Sequence, residues 1–241
     1  MRPKYLFLII SLNISQLIMA QTFETDTFKT ANNKDVVITF IKHGSLMLSY
    51  DGLIIQVDPV GMFADYKTLP KADFILITHE HGDHLDSVAI NQLEKENTRI
   101  IINQSSYNII SKGDVMKNGD NLKLRDDINI KAVPAYNTTK GREMYHPRYR
   151  DNGYILSIDN LNVYIAGDTE DIPEMRNLKK IDIAFLPINQ PYTTTVDQAI
   201  NATKMFNPNI LYPYHFGDTD VSQLKTKLQN SQTEVRLRKM E

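Results

Sequence analysis

Three of the six histidines in this 241-residue chain fall within a single run of six residues, His79-Glu80-His81-Gly82-Asp83-His84. Imidazole nitrogens and carboxylate oxygens are the atoms that Zn²⁺ accepts at about 2.0 to 2.2 Å. Side chains at i and i+2 of an extended segment point the same way, so His79 and His81 can grip one ion. Gly82 lets the chain turn sharply, after which Asp83 and His84 can address a neighbouring position. A solvated polar loop is the bland alternative, but it leaves unexplained why the cluster directly follows the apolar run at residues 74–78. The chain has no cysteine, which removes thiolate ligands, disulfides and a cysteine nucleophile. Any metal must be held by nitrogen and oxygen. No Ser-His-Asp ordering and no phosphate-binding Gly-rich loop offers a competing chemistry.

Positioning such a cluster takes a sheet. Short β-branched runs predict strands at residues 36–41, 45–50, 53–57, 74–78, 99–103, 128–133, 154–158, 163–166, 183–187 and 210–214. Helices are expected at residues 87–95, 105–111, 195–206 and 221–228. The third has Val196, Ala199, Ile200, Thr203 and Phe206 at helical spacing behind a Thr N-cap. A faint repeat runs through the chain. LIIQVDP, ending in Asp58 and Pro59, precedes DFILITH from Asp73 to His79, much as NVYIAGDT precedes DIAFLPI. Asp58 and Asp168 are 110 residues apart and Asp73 and Asp182 are 109 apart. Any α/β protein contains such strands, so pattern alone leaves duplication open. Two halves packed sheet against sheet would put both strand-end aspartates near a shared edge.

The composition, 41% hydrophobic and 23% charged, is that of a folded protein. With 27 Lys plus Arg against 29 Asp plus Glu, the net charge of −2 gives no global attraction for nucleic acid. At the N-terminus, Arg2 and Lys4 precede an apolar stretch that runs from Tyr5 to about Ala20, which is followed by Gln21. This pattern reads as a cleaved secretory signal over residues 1–20, although Ile18 stands where a smaller residue is usual. A membrane anchor is the alternative, but Asn13, Ser15 and Gln16 interrupt the roughly 20 apolar residues that a span needs. No Pro/Gly/Ser-rich linker divides the remainder, so residues 21–241 are expected to form one domain, periplasmic or secreted and without a stable membrane anchor.

The HxHxDH segment after a strand resembles the hallmark of the metallo-β-lactamase superfamily. Other hallmarks follow in order: Asp58 in VDP, Asp168 in IAGDT and His215 in YPYHF. The resemblance implies an α+β fold, an αβ/βα four-layer sandwich of two β-sheets flanked by helices, with a metal site at one edge between the sheets. Residue by residue, it implies that His79 and His81 bind a first ion, that Asp83, His84 and His215 bind a second, and that Asp168 bridges them. Asp58 would stand behind the ligands or simply cap a turn before Pro59. The implied cofactor is Zn²⁺, one ion or two, with Mn²⁺ or Fe²⁺ also compatible. The implied activity is that of a metal-dependent hydrolase. In such an enzyme the bound cations would acidify a water, Asp83 and Asp168 would orient it, and the substrate would be an ester, lactone or phosphodiester-type small molecule. A β-lactamase acting on an amide and a metal-binding protein with a degenerate, non-catalytic site are the alternatives.

One departure stands out. Where the family usually supplies a further His for the first metal, this chain has Asn137, a poor zinc ligand. His146 is available either as its replacement or as a hydrogen-bonding group for substrate. The remaining histidine, His43, either lines the pocket or is structural. The segment from Thr138 to Asn152 concentrates Lys140, Arg142, Arg148 and Arg150 around His146. It is expected to cover the site partly, with Arg142 and Arg148 favouring an anionic substrate through their fixed fork of donors. A solvated basic loop is the opposing reading.

Overall fold

The computed structural model describes residues 21–241, so the secretory-signal reading of residues 1–20 lies outside the described residues. The first half of the chain builds one seven-stranded sheet, in the order β1 (Glu24–Lys29), β2 (Asp35–Lys42), β3 (Ser45–Tyr50), β4 (Leu53–Val57), β5 (Phe74–Leu76), β6 (Arg99–Ile102) and β7 (Asp114–Val115). Helices α1 (Ser87–Leu93) and α2 (Gln104–Ile110) follow β5 and β6. The second half repeats the plan with β8 (Asn121–Arg125), β9 (Ile128–Ala135), β10 (Asp151–Ile158), β11 (Leu161–Ile165), β12 (Ile183–Pro187), β13 (Ile210–Tyr214) and β14 (Glu234–Val235), carrying α3 (Val196–Phe206) and α4 (Gln223–Lys227). In each sheet the first four strands pair antiparallel and the remaining ones run parallel.

The repeat read from the sequence has a structural counterpart. The Asp73 carboxylate accepts from the backbone N–H of Ile54 at 2.9 Å, and that of Asp182 accepts from the N–H of Asn162 at 2.8 Å. Each aspartate thus anchors the start of the strand before it, at the same place in its half.

Alternation along the strands divides the buried residues into three layers of contact. Between the sheets lie Ile38, Phe40, Leu46, Leu48, Ile55 and Val57 of one half and Ile130, Tyr154, Leu156, Val163, Phe185 and Tyr212 of the other. The outer face of the first sheet packs on Ala89, Ile90 and Leu93 of α1, and that of the second on Ala199, Ile200 and Phe206 of α3. These layers make the four-layer α+β sandwich. Among the described residues, no helix is long and apolar enough to cross a membrane.

Candidate metal centre

The parallel strands end at one edge of the sandwich, and the chemistry-bearing side chains follow their C-terminal ends, where α/β sheets gather ligands. Asp58 follows β4, His79 follows β5, Asp168 follows β11 and His215 follows β13. Gly167 takes φ +64° just before Asp168, and a Cβ there would lie 2.8 Å from the carbonyl oxygen of Asn152. Only glycine fits that turn without strain. After His79 the chain turns, with the N–H groups of His84 and Leu85 both donating to the His81 carbonyl. This turn swings Asp83 and His84 away from His81.

Among the described residues three groups of ligand atoms result, each with all its atoms within 4.8 Å of one another: His79, His81 and His146; His43, Asp83, His84 and His215; and His79, His84 and Asp168. Asp168 stands between the first two. Its Oδ2 is 3.4 Å from His146 Nε2 and 3.3 Å from His215 Nε2, and its Oδ1 is 3.5 Å from His84 Nε2. Asp83 is partly open, with 40% of its side chain exposed.

Outside the centre, most of these imidazoles meet a second partner. His84 Nδ1 pairs with Asp58 Oδ2 at 2.9 Å, and His146 Nδ1 with Asp151 Oδ2 at 3.0 Å. His79 Nδ1 meets Thr78 Oγ1 at 3.0 Å, and Asp58 in turn accepts from the Thr78 N–H and hydroxyl. Such contacts fix ring orientation and leave Nε2 free for the centre. His43 Nε2 lies 3.1 Å from Asp83 Oδ2, and its ring centroid is 3.5 Å from that of His215.

Burial opposes ionisation of Asp168, yet His215 and His84 hold its carboxyl well below the usual carboxylate range. Burial likewise disfavours an imidazolium at His215, but Asp168 and Asp83 raise its pKa to about 10. Burial pushes His79 well below 6.5, leaving it neutral and able to donate a lone pair. Despite their burial, His84 Nε2, His215 Nε2 and Asp168 Oδ1 find no hydrogen-bond partner among the described residues. Buried polar atoms without partners cost about 1–3 kcal/mol each. These donors, all nitrogen and oxygen and all facing inward, suit a pair of divalent cations.

Residues 37–215 match the profile of the Beta-lactamase superfamily domain. The chain belongs to the metallo-β-lactamase superfamily. It is similar to a metal-dependent hydrolase of Flavobacterium johnsoniae, 32% identical over 196 residues that cover 74% of this chain and 84% of that protein. A crystal structure from Parabacteroides distasonis, named as a metal-dependent hydrolase, is 62% identical and covers 91% of this chain and 100% of its own at a TM-score of 0.90. Igni18, a metallo hydrolase of Ignicoccus hospitalis, is 26% identical with a TM-score of 0.72, covering 86% of this chain and 96% of its own. This metallo-β-lactamase superfamily member is a metal-dependent hydrolase.

Relative to the superfamily hallmarks, the structure brings together His79, His81, Asp83, His84, Asp168 and His215, with Asp58 behind them. It adds His146 to the first group. Asn137 has another job: its Nδ2 donates to the carbonyls of Arg142 and Tyr192, and its N–H donates to the His146 carbonyl. It ties the loop together. The arginines nominated for substrate are already engaged. Arg142 faces Glu170 at 3.6 Å, and Arg148 pairs with Glu174 at 2.7 Å while lying over the Tyr136 ring. Neither belongs to the ligand groups, and Lys140 is exposed.

Two residues at the site escaped the sequence reading. Asp151, fully buried behind His146, carries a faint signal, a carboxylate at the start of the strand five residues on. Gly44 is the other: a Cβ there would sit 2.7 Å from His84 Cε1. Its signal, a Gly beside His43, was too common to single out.

Proposed function

We propose that this protein hydrolyses an ester, lactone or phosphodiester-type small molecule at a two-ion centre, working in the periplasm or outside the cell. His79, His81 and His146 would hold one ion, Asp83, His84 and His215 the other, with Asp168 between them. The observation that carries this reading is the set of buried, partnerless ligand atoms around Asp168, which a pair of divalent cations would satisfy. Zinc suits the donor set best, and manganese or iron(II) would also be accepted. When bound, such ions acidify water toward neutral pH and polarise a carbonyl or phosphoryl oxygen.

The chain's own residues then have separate tasks. Asp168, buried and ionised, supplies the central negative charge. Asp83, with 40% of its side chain exposed, would accept a hydrogen bond from the attacking water and so orient it. Asp58 and Asp151 keep the rings of His84 and His146 turned inward. Recruiting Arg142 or Arg148 for an anionic substrate would mean breaking its pairing with Glu170 or Glu174. Neutral esters and lactones require no such exchange, and they head the substrate order.

The test is a panel of aryl esters, lactones, bis(4-nitrophenyl) phosphate and a chromogenic β-lactam, offered to chelated protein reloaded with zinc, manganese or iron(II). Turnover of at least one of the first three classes, abolished by chelation, is expected. Protein that holds two ions and turns over none of them would sink the proposal.

A further inference from the structure

We infer that Asp151 is the positioning residue that makes a loop histidine, His146, serve the first ion, and that it does so within an ionic circuit running through Arg150 to Glu80. The inference rests on the two-ion reading above.

The need for such a device follows from where His146 sits. His79 and His215 follow strands whose backbone ladders place them. His146 instead lies in the connection between β9 and β10, which has no regular structure around it. The Asn137 N–H ties the His146 carbonyl, but the direction of the His146 ring must be set by side chains. Asp151 is the first residue of β10, paired in register with Ala135 of β9, so its carboxylate stands on a rigid element. With His146 Nδ1 held by Asp151 Oδ2, Nε2 is directed at Asp168. A carboxylate behind a ligating imidazole fixes its tautomer and raises its basicity.

The circuit continues beyond Asp151. Arg150 Nε donates to Asp151 Oδ1 at 2.7 Å, and its Nη2 donates to Oδ2 at 2.9 Å and to the Tyr145 carbonyl at 2.7 Å. Nη1 of the same guanidinium lies 2.9 Å from Glu80 Oε1, and Glu80 Oε2 accepts from the Ser105 hydroxyl. Glu80 stands in sequence between His79 and His81. One planar cation therefore connects the carboxylate behind His146 to the segment that bears the other two ligands of the first group, and it offsets the cost of burying Asp151. The arrangement matches the other half of the molecule, where the buried Asp58 stands behind His84.

The experiment compares wild type with Asp151→Asn, Asp151→Ala and Arg150→Lys. Zinc is titrated against a chromophoric chelator, and Co²⁺ absorption spectra and the ¹H–¹⁵N correlations of the His146 ring are recorded for each protein. Wild type is expected to take two ions, with His146 protonated at Nδ1. Asp151→Ala should weaken the first ion about 10–100-fold, leave the second unchanged and scramble the His146 tautomer. Asp151→Asn, which keeps an acceptor without the charge, should fall between the two. Should Asp151→Ala fail to fold, Asp151→Asn and Arg150→Lys carry the comparison. Wild type that takes no first ion overturns this inference together with the two-ion reading. Two ions in wild type, with first-ion affinity and tautomer unchanged in the folded variants, overturns the role of Asp151 alone.

Discussion

Among the described residues, Asp168 is the one carboxylate within reach of His146, His84 and His215 together, and this makes it the residue whose loss should be felt most. Asp168→Ala is expected to release at least one metal equivalent and nearly all hydrolysis, as read by elemental analysis alongside turnover; full activity with unchanged metal content would refute the assignment. Gly44→Ala tests the packing behind the centre. Its new methyl would sit 2.7 Å from His84, so the ring must move, and second-ion affinity should fall with little change in the circular dichroism spectrum. Proton competition gives a third test. In metal-free protein the pKa of His215 is raised from 6.5 to about 10. Its imidazolium therefore stabilises the fold fully below about 6.5, and that contribution is lost as pH rises through about 10. Metal needs the neutral ring, so metal affinity rises over the same window. Calorimetry at both ends of this window should show a wider melting gap between zinc-loaded and chelated protein at the alkaline end. The ligand run from His79 to His84 was legible because its members are adjacent. The choice between Asn137 and His146 was not, because it depends on how a loop folds back.

At the level of elements, the strands at 45–50, 53–57, 183–187 and 210–214 are read in the sequence with the bounds the structure gives them. They are buried and dense in apolar side chains, so pattern and burial agree. β1, β7, β8 and β14 were missed for the opposite reason. They lie at sheet edges and are short or largely exposed; Glu24–Lys29 has Phe28 as its one large apolar residue. Their pairing is dictated by neighbours that a local pattern does not contain. Helix α3 was legible through its cap. Thr195 and Gln198 form a reciprocal capping box, and Thr195→Ala should lower stability by about 1 kcal/mol, seen in a urea titration, while metal content stays at the wild-type level. Loss of metal in that variant would mean that α3 positions the centre as well as covering the sheet. The loop arginines lay at the limit of element-level reasoning: their charges were visible in the sequence, but the partners the structure gives them, Glu170 and Glu174, lie beyond the next two strands.

For the whole molecule, the order of hallmarks and the near-equal offsets between aspartates made the sandwich legible before any coordinates. The structure adds that Asp73 and Asp182 do the same work in each half. Export remains a reading of residues 1–20, and it predicts that the mature protein begins at or near Gln21; N-terminal sequencing of periplasmic and culture fractions checks it, and an intact Met1 form in membranes would count against it. The division of ligands between the halves carries a further consequence. His79, His81, Asp83 and His84 come from the first sheet's half, and His146, Asp168 and His215 from the second's. The covalent crossing from one to the other is the short connection between β7 and β8. Cut there, neither fragment would own a complete coordination sphere, and the cation would act as a clasp between two separate polypeptides. Their reassembly would then depend on free zinc by mass action, turning a hydrolase into a split reporter of metal concentration.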